Sequence, residues 1–181
     1  ASLRALDGVK AVSPRAQAEG MLARDNESAP VDLIGVDADA ERQVTVVADK
    51  MLAGPQAAEW CRTQMADALE VLGNDEALFG RWCDAVSESR WLPDEEERAL
   101  VLGVGLAEQL LLSVGDEVTV QVARAVDGEE GASSGSLSQR RLVVTGLFRS
   151  GNAEVDGQVA FVHRPTLQAM LGTNEPNELT M

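Results

Sequence analysis

A chain of 181 residues with 45% hydrophobic and 25% charged content can bury one good core; this excludes a disordered chain and favours a single domain, 1–181. Thirty acidic residues against fifteen basic ones leave a formal charge of −15, which repels phosphate backbones and excludes nucleic acid as a partner. The longest apolar run, 100–114, contains Glu108, Gln109 and two glycines and is too short and polar to span a bilayer.

Residues 1–6 carry neither an initiator Met nor the apolar run of an export signal, so the chain reads as a mature or excised piece. In 9–23 the apolar residues are irregularly spaced around Pro14, which predicts an extended, edge-like strand. After the polar turn 24–28, the β-branched stretch 31–36 reads as the returning strand of a hairpin. Asp37 to Glu41 then cap a short helical turn, and Val44, Thr45, Val46 and Val47 read as another strand before Gly54 and Pro55.

From 56 to 91 the period becomes helical. Cys61, Met65, Leu69 and Leu72 share one face and Gly73 serves as a left-handed cap. Asp75 and Glu76 open a second helix whose apolar face holds Leu78, Phe79, Trp82, Cys83 and Val86, so the stretch is expected to fold as an inserted antiparallel helical hairpin. The acidic run 94–97 closes it.

Residues 98–102 are strand-like, 104–112 form an amphipathic helix, and Val118, Val120 and Val122 alternate as a strand. The segment 127–138, rich in Gly, Ser and Glu, reads as a long hairpin loop. Residues 142–148 return as a strand, followed by a turn at Gly151 and Asn152, a strand over 158–162 and a helix opened by Pro165. The expected class is α+β: a curved, mostly antiparallel mixed sheet with short helices and the inserted hairpin.

Cys61 lies twelve residues before Gly73 and Cys83 ten after it, which brings both to similar heights on facing helices. A disulfide between them fits, would close a loop stabilising by about 3 kcal/mol, and would imply an oxidising compartment. The alternative is two free thiols packed as small apolar groups. His163, the single histidine, has no companion histidine and reads as a strand-end residue. Asp37, Asp39 and Glu41 alternate like calcium ligands but lack the later parts of such a loop, and so read as a helix cap. Gly103-Val104-Gly105 follows a strand and opens a helix, yet Glu108 occupies the third-glycine position of a dinucleotide site and would repel a pyrophosphate. No catalytic, cofactor or metal constellation emerges, and the chain reads as a non-enzyme.

Several phrases stand together in order: Ala11-Val12-Ser13-Pro14-Arg15, Leu33-Ile34-Gly35-Val36-Asp37, Leu100-Val101-Leu102-Gly103, Ser113-Val114-Gly115-Asp116, Val144-Thr145-Gly146-Leu147-Phe148-Arg149-Ser150-Gly151, and Ala160-Phe161-Val162. The series resembles the MacB-like periplasmic core domain of ABC-transporter permeases of the lipoprotein-releasing type. The resemblance implies a membrane-anchored, non-catalytic domain on the periplasmic side of a bacterial inner membrane, partnered by a second permease subunit and a cytoplasmic ATPase on another chain. Such a domain couples ATP-driven motion to release of lipoproteins or related substrates and binds a periplasmic carrier or adaptor. A further strand expected near 177–181 suggests that a portion beyond the C-terminus is missing. Relative to the family, 56–91 is an insertion. Gln139 and Arg140 resemble the polar pad beside a carrier-binding hook, with Arg124 as a third candidate contact, although the acidic, glycine-rich 127–136 lacks the stiff apolar tip of a hook. A free-standing secreted binding or scaffold protein is the alternative reading.

Overall fold

The computed structural model describes residues 9–64, 69–70, 72–124, 136–173 and 178–180. Strands β1 (Ser13–Arg24) and β2 (Glu27–Val36) form the expected hairpin. Its turn places Asp25 at φ 51°, a left-handed conformation that Asp tolerates. Helix α1 (Ala38–Val44) follows, with the Asp37 carboxylate accepting from the Ala40 N–H at 2.9 Å. The strand expected at Val44 to Val47 is absent: α1 occupies its start and a 3-10 turn, Val47–Lys50, its end. The cap at Asp37 and the burial of Glu41 outweigh β propensity there, since Val46 is 63% exposed and so gains little from packing.

The insert holds α2 (Pro55–Gln64) and α3 (Glu76–Val86), the latter capped by the Asp75 carboxylate on the Leu78 N–H. Gly73 is left-handed at φ 72°. Its N–H donates to the Glu70 carbonyl at 3.0 Å and that of Asn74 to Leu69 at 2.9 Å, the paired bonds of a Schellman stop. Met65, placed on the apolar face by its spacing, lies outside the described residues. At the neck of the insert Ala53 and Glu88 form a β-bridge.

The remaining elements are β3 (Ala99–Gly103), α4 (Val104–Leu110), β4 (Glu117–Arg124), β5 (Ser136–Phe148), α5 (Ala153–Gln158), β6 (Val159–His163), α6 (Arg164–Leu171) and β7 (Glu178–Thr180). The chain bends at Gly151, at φ 90°, as expected; the Asn152 side chain then caps α5, a helix not expected there that takes up Gln158, accepting from the Glu154 N–H at 3.0 Å. Residues 136–138 belong to β5, and the rest of the loop read over 127–138 lies outside the described residues.

The α+β class, the short helices and the mixed pairing hold, with four of the six barrel junctions antiparallel, but the expected curved sheet is instead a closed barrel. The strand order β2-β6-β3-β5-β4-β1 returns to β2 through the β1–β2 ladder and closes a six-stranded barrel, with β7 added beside β1. Two junctions, β2–β6 and β3–β5, are parallel. Nor is β1 an edge strand. One side pairs with β2 and the other with β4 at Gly20 to Ala23 and with β7 at Ser13 to Arg15. Pro14 is tolerated because the β1–β2 ladder starts one residue later, at Arg15. Gly20 allows closure, since a Cβ there would collide with the Gln121 carbonyl.

All six barrel strands send alternate side chains into one buried cluster, including Leu22, Leu33, Leu102, Val120, Val144 and Val162, which Leu167 of α6 and Leu106 of α4 join. The register of β5 against β3 shifts between Leu100 and Val101. That irregularity keeps both Val144 and Leu147 in the cluster, although three positions separate them. A second cluster, Val36, Val101, Phe148 and Phe161 with Ala38, Trp91 and Leu92, covers the outer face where α1 and the exit of the insert pack. The approach to the insert and its exit are both seated on β5: Leu52 N–H donates to the Leu147 carbonyl and Arg90 N–H to that of Thr145, each at 2.8 Å.

Candidate functional site: the hairpin of β4 and β5 and the pinned insert

Cys61 and Cys83 are joined as a disulfide with Cα atoms 5.4 Å apart, and both residues are fully buried. Around it Phe79 stacks on Trp82, with ring centroids 6.5 Å apart, and both contribute to the barrel's own cluster. The insert is therefore an extension of the core, and its outer surface is tied by an Arg62–Asp84 ion pair and by the Arg149 guanidinium 5.5 Å over the Trp60 ring.

The β4–β5 hairpin carries the candidate partner contacts. In its register Arg140 lies opposite Val120, Gln139 opposite Gln121, and Arg124 opposite Ser136. Because side chains alternate across a strand, Arg124 and Arg140 share the face of Val120 and Val122, while Gln139 points to the other side with Leu137, which is 68% exposed. The two arginines thus share a face four register positions apart, and Gln139 lies on the other face from Arg140. Both arginines border α6. Arg140 lines a cleft of about 340 Å³ with Asp94, Glu97, His163, Pro165 and Thr166. The Arg124 guanidinium lies against Gly172, the left-handed residue that ends α6, where a cation complements the helix dipole.

His163 ends β6 as expected, and its ring Nε2–H donates to the Pro93 carbonyl at 3.1 Å. Thr166 donates to the Glu97 carbonyl at 2.9 Å, so the walls of the cleft are bonded to one another. Among the described residues no group of histidine, cysteine and acidic side chains is arranged to hold a metal ion. Gly103 and Gly105 have a packing role: a Cβ on either would run into the backbone of Asp156 in α5. Asp156 is itself engaged, accepting from the Ser150 N–H and Oγ–H at 2.7 Å each.

Glu41, expected as part of a helix cap, has a different place, since the cap of α1 is Asp37. It is fully buried, accepts from Ser13 Oγ at 2.7 Å and from Arg15 Nη2 at 2.5 Å, and holds the start of β1 against α1. Its only signal was a carboxylate one turn beyond a cap, indistinguishable from a solvated charge. The cleft acids Asp94 and Glu97 were visible only as part of an acidic run.

No family model matches the chain, and no curated protein does. Solved structures do match. The extracellular domain of the noncanonic ABC-type transporter YknZ from Gram-positive bacteria superposes with a TM-score of 0.55 at 17% identity, covering 98% of this chain and 66% of that one. The periplasmic region of MacB from Actinobacillus actinomycetemcomitans gives a TM-score of 0.50 at 11% identity, covering 98% of this chain and 58% of that one. The chain therefore spans less than two thirds of either structure. At these identities the likeness is one of fold, and it is the fold that the ordered sequence phrases resembled. Among the described residues no helix is long and apolar enough to cross a membrane.

Proposed function

We propose that this chain, built on the fold of the extracytoplasmic domains of MacB-like ABC-transporter permeases, is such a domain. Its role is to couple ATP-driven movement of membrane helices to the release or export of lipoproteins or related envelope substrates. One observation within the fold carries the reading: Ser13 of β1 pairs with Thr180 of β7, and the two strands run antiparallel. The start of β1 and the end of β7 thus lie side by side, as a domain held between two membrane helices would need. The buried disulfide supports an oxidising, extracytoplasmic location. A second permease subunit and a cytoplasmic ATPase on another chain would act through the membrane part.

The domain is read as non-catalytic, with no cofactor. The ring N–H of His163 is committed to a structural bond, and the bonded walls of the cleft point to a fixed scaffold. On this reading a periplasmic carrier or adaptor would meet the hairpin through the Arg124 and Arg140 face, with Gln139 serving the opposite one.

The test is membrane association of the full reading frame in cells. Membranes washed with alkaline carbonate should retain the protein, and protease added outside intact spheroplasts should cleave within this domain. Release as a soluble protein would overturn the proposal in favour of a free-standing secreted binding protein.

A further inference from the structure

We infer that α1 is a clamp joining the root of β1 to the exit of the helical insert, with Glu41 as its anchor. Ser13 and Arg15 are two positions apart on β1, so they present side chains to one face, and both reach Glu41. The Ser13 hydroxyl and Arg15 Nε donate to Oε2 at 2.7 and 3.3 Å, and Arg15 Nη2 donates to Oε1 at 2.5 Å. A carboxylate without exposed surface persists only where its oxygens are satisfied in this way. Three residues before Glu41, the Ala38 carbonyl accepts from the buried Trp91 indole N–H at 3.1 Å. Trp91 stands where the insert rejoins the barrel, its ring 5.3 Å from that of Phe161, and the preceding Arg90 is hydrogen-bonded to β5.

A helix of seven residues has little stability of its own, so what fixes α1 is the contact at each side. One is the root of β1 and the other is the exit of the insert. A displacement of the β1 root is passed through two buried hydrogen-bonded junctions to the insert, without passing round the barrel. The use of this clamp in transport rests on the reading above, in which the chain is tethered next to Ser13; the clamp itself does not.

Hydrogen exchange of the 181-residue chain, followed by mass spectrometry, tests it. In Glu41→Gln, amides at 13–17, 38–44 and 89–92 are expected to exchange at least tenfold faster, with α2 and α3 within twofold of the parent. Trp91→Phe, which keeps a ring but removes the N–H, is expected to speed exchange at 13–17 as well as in α1. The double variant should fall short of the product of the single effects, as coupled sites do. Loosening confined to the side substituted, or single effects that multiply, would overturn the clamp. Should Glu41→Gln not fold, the response of 13–17 to Trp91→Phe decides alone. These outcomes are independent of carbonate extraction, so a soluble full-length protein would sink the transport role and leave the clamp standing.

Discussion

Cys61 on α2 and Cys83 on α3 meet across the insert with 5.4 Å between their Cα atoms and no exposed surface on either residue. Replacing both by Ala should lower stability by about 3 kcal/mol, the chain-entropy value for a loop of this length. Urea titrations of the parent and the double variant would read this as a lower midpoint. Mild reductant should leave the folded parent unchanged, because the bond is reached only through opening of the insert. Equal midpoints would mean that packing of Phe79 and Trp82 alone holds the hairpin.

The pair at Glu41 behaves differently from the surface ion pairs. Arg15→Met leaves a carboxylate buried without its cation and should cost about 3 kcal/mol or more. Adding Glu41→Leu removes the stranded charge, and the double variant should return to within about 1 kcal/mol of the parent. By contrast Arg42→Met, which breaks the exposed pair with Asp39, should change stability by less than about 0.5 kcal/mol. Thermal melts of the four proteins compare these directly.

Two glycines on either side of one contact give opposite predictions. Gly103→Ala drives a methyl into the Asp156 backbone and should destabilise by about 1–3 kcal/mol. Gly157→Ala, in α5 with open space where its Cβ would stand, should be neutral or stabilise by about 0.5–1 kcal/mol. Chemical denaturation of each variant checks the sign.

The Glu95 carboxyl is held below its ordinary range, first by its own backbone N–H and next by the Arg90 guanidinium, whose Nη1 donates at 2.8 Å. A depressed carboxyl contributes stability that is present above its unfolded pKa and is lost as pH falls through the folded one. Arg90→Ala should move the Glu95 titration upward but not restore it fully, because the backbone bond remains. Carboxyl NMR shifts followed from pH 7 to pH 2 would show it. An unchanged midpoint would leave the backbone bond as the whole cause.

Local chemistry made much of this fold legible. The hairpin of β1 and β2, the two insert helices and their Gly73 stop follow from caps, turn residues and period, all written within a few residues of one another. The disulfide was legible because one glycine set the heights of both cysteines. Barrel closure was not, since pairing β1 with β4 depends on residues about a hundred positions apart, and Pro14 argued for an edge. Val44 to Val47 misled because their β-branched side chains favour a strand, whereas the chain ends α1 at Val44, is extended at Thr45 and enters a 3-10 turn at Val47. For the candidate surface, the strand was legible only over 142–148, and its extension back through Gln139 and Arg140 to Ser136 was not, because those two residues are polar and 127–138 read as loop. The opposition of the two side chains follows from the period of that extended strand, whereas the closeness of Arg140 to His163 and Glu97 required the closed barrel.

The pairing of Ser13 with Thr180 has a consequence for how such a module can be moved between proteins. A unit whose two connections emerge together can be spliced into a loop of a host without stretching it. The host keeps its own architecture while gaining a folded appendage. The same geometry permits the ends to be linked by a short bridge and the backbone reopened elsewhere, so the order of elements along the chain is separable from the barrel they build.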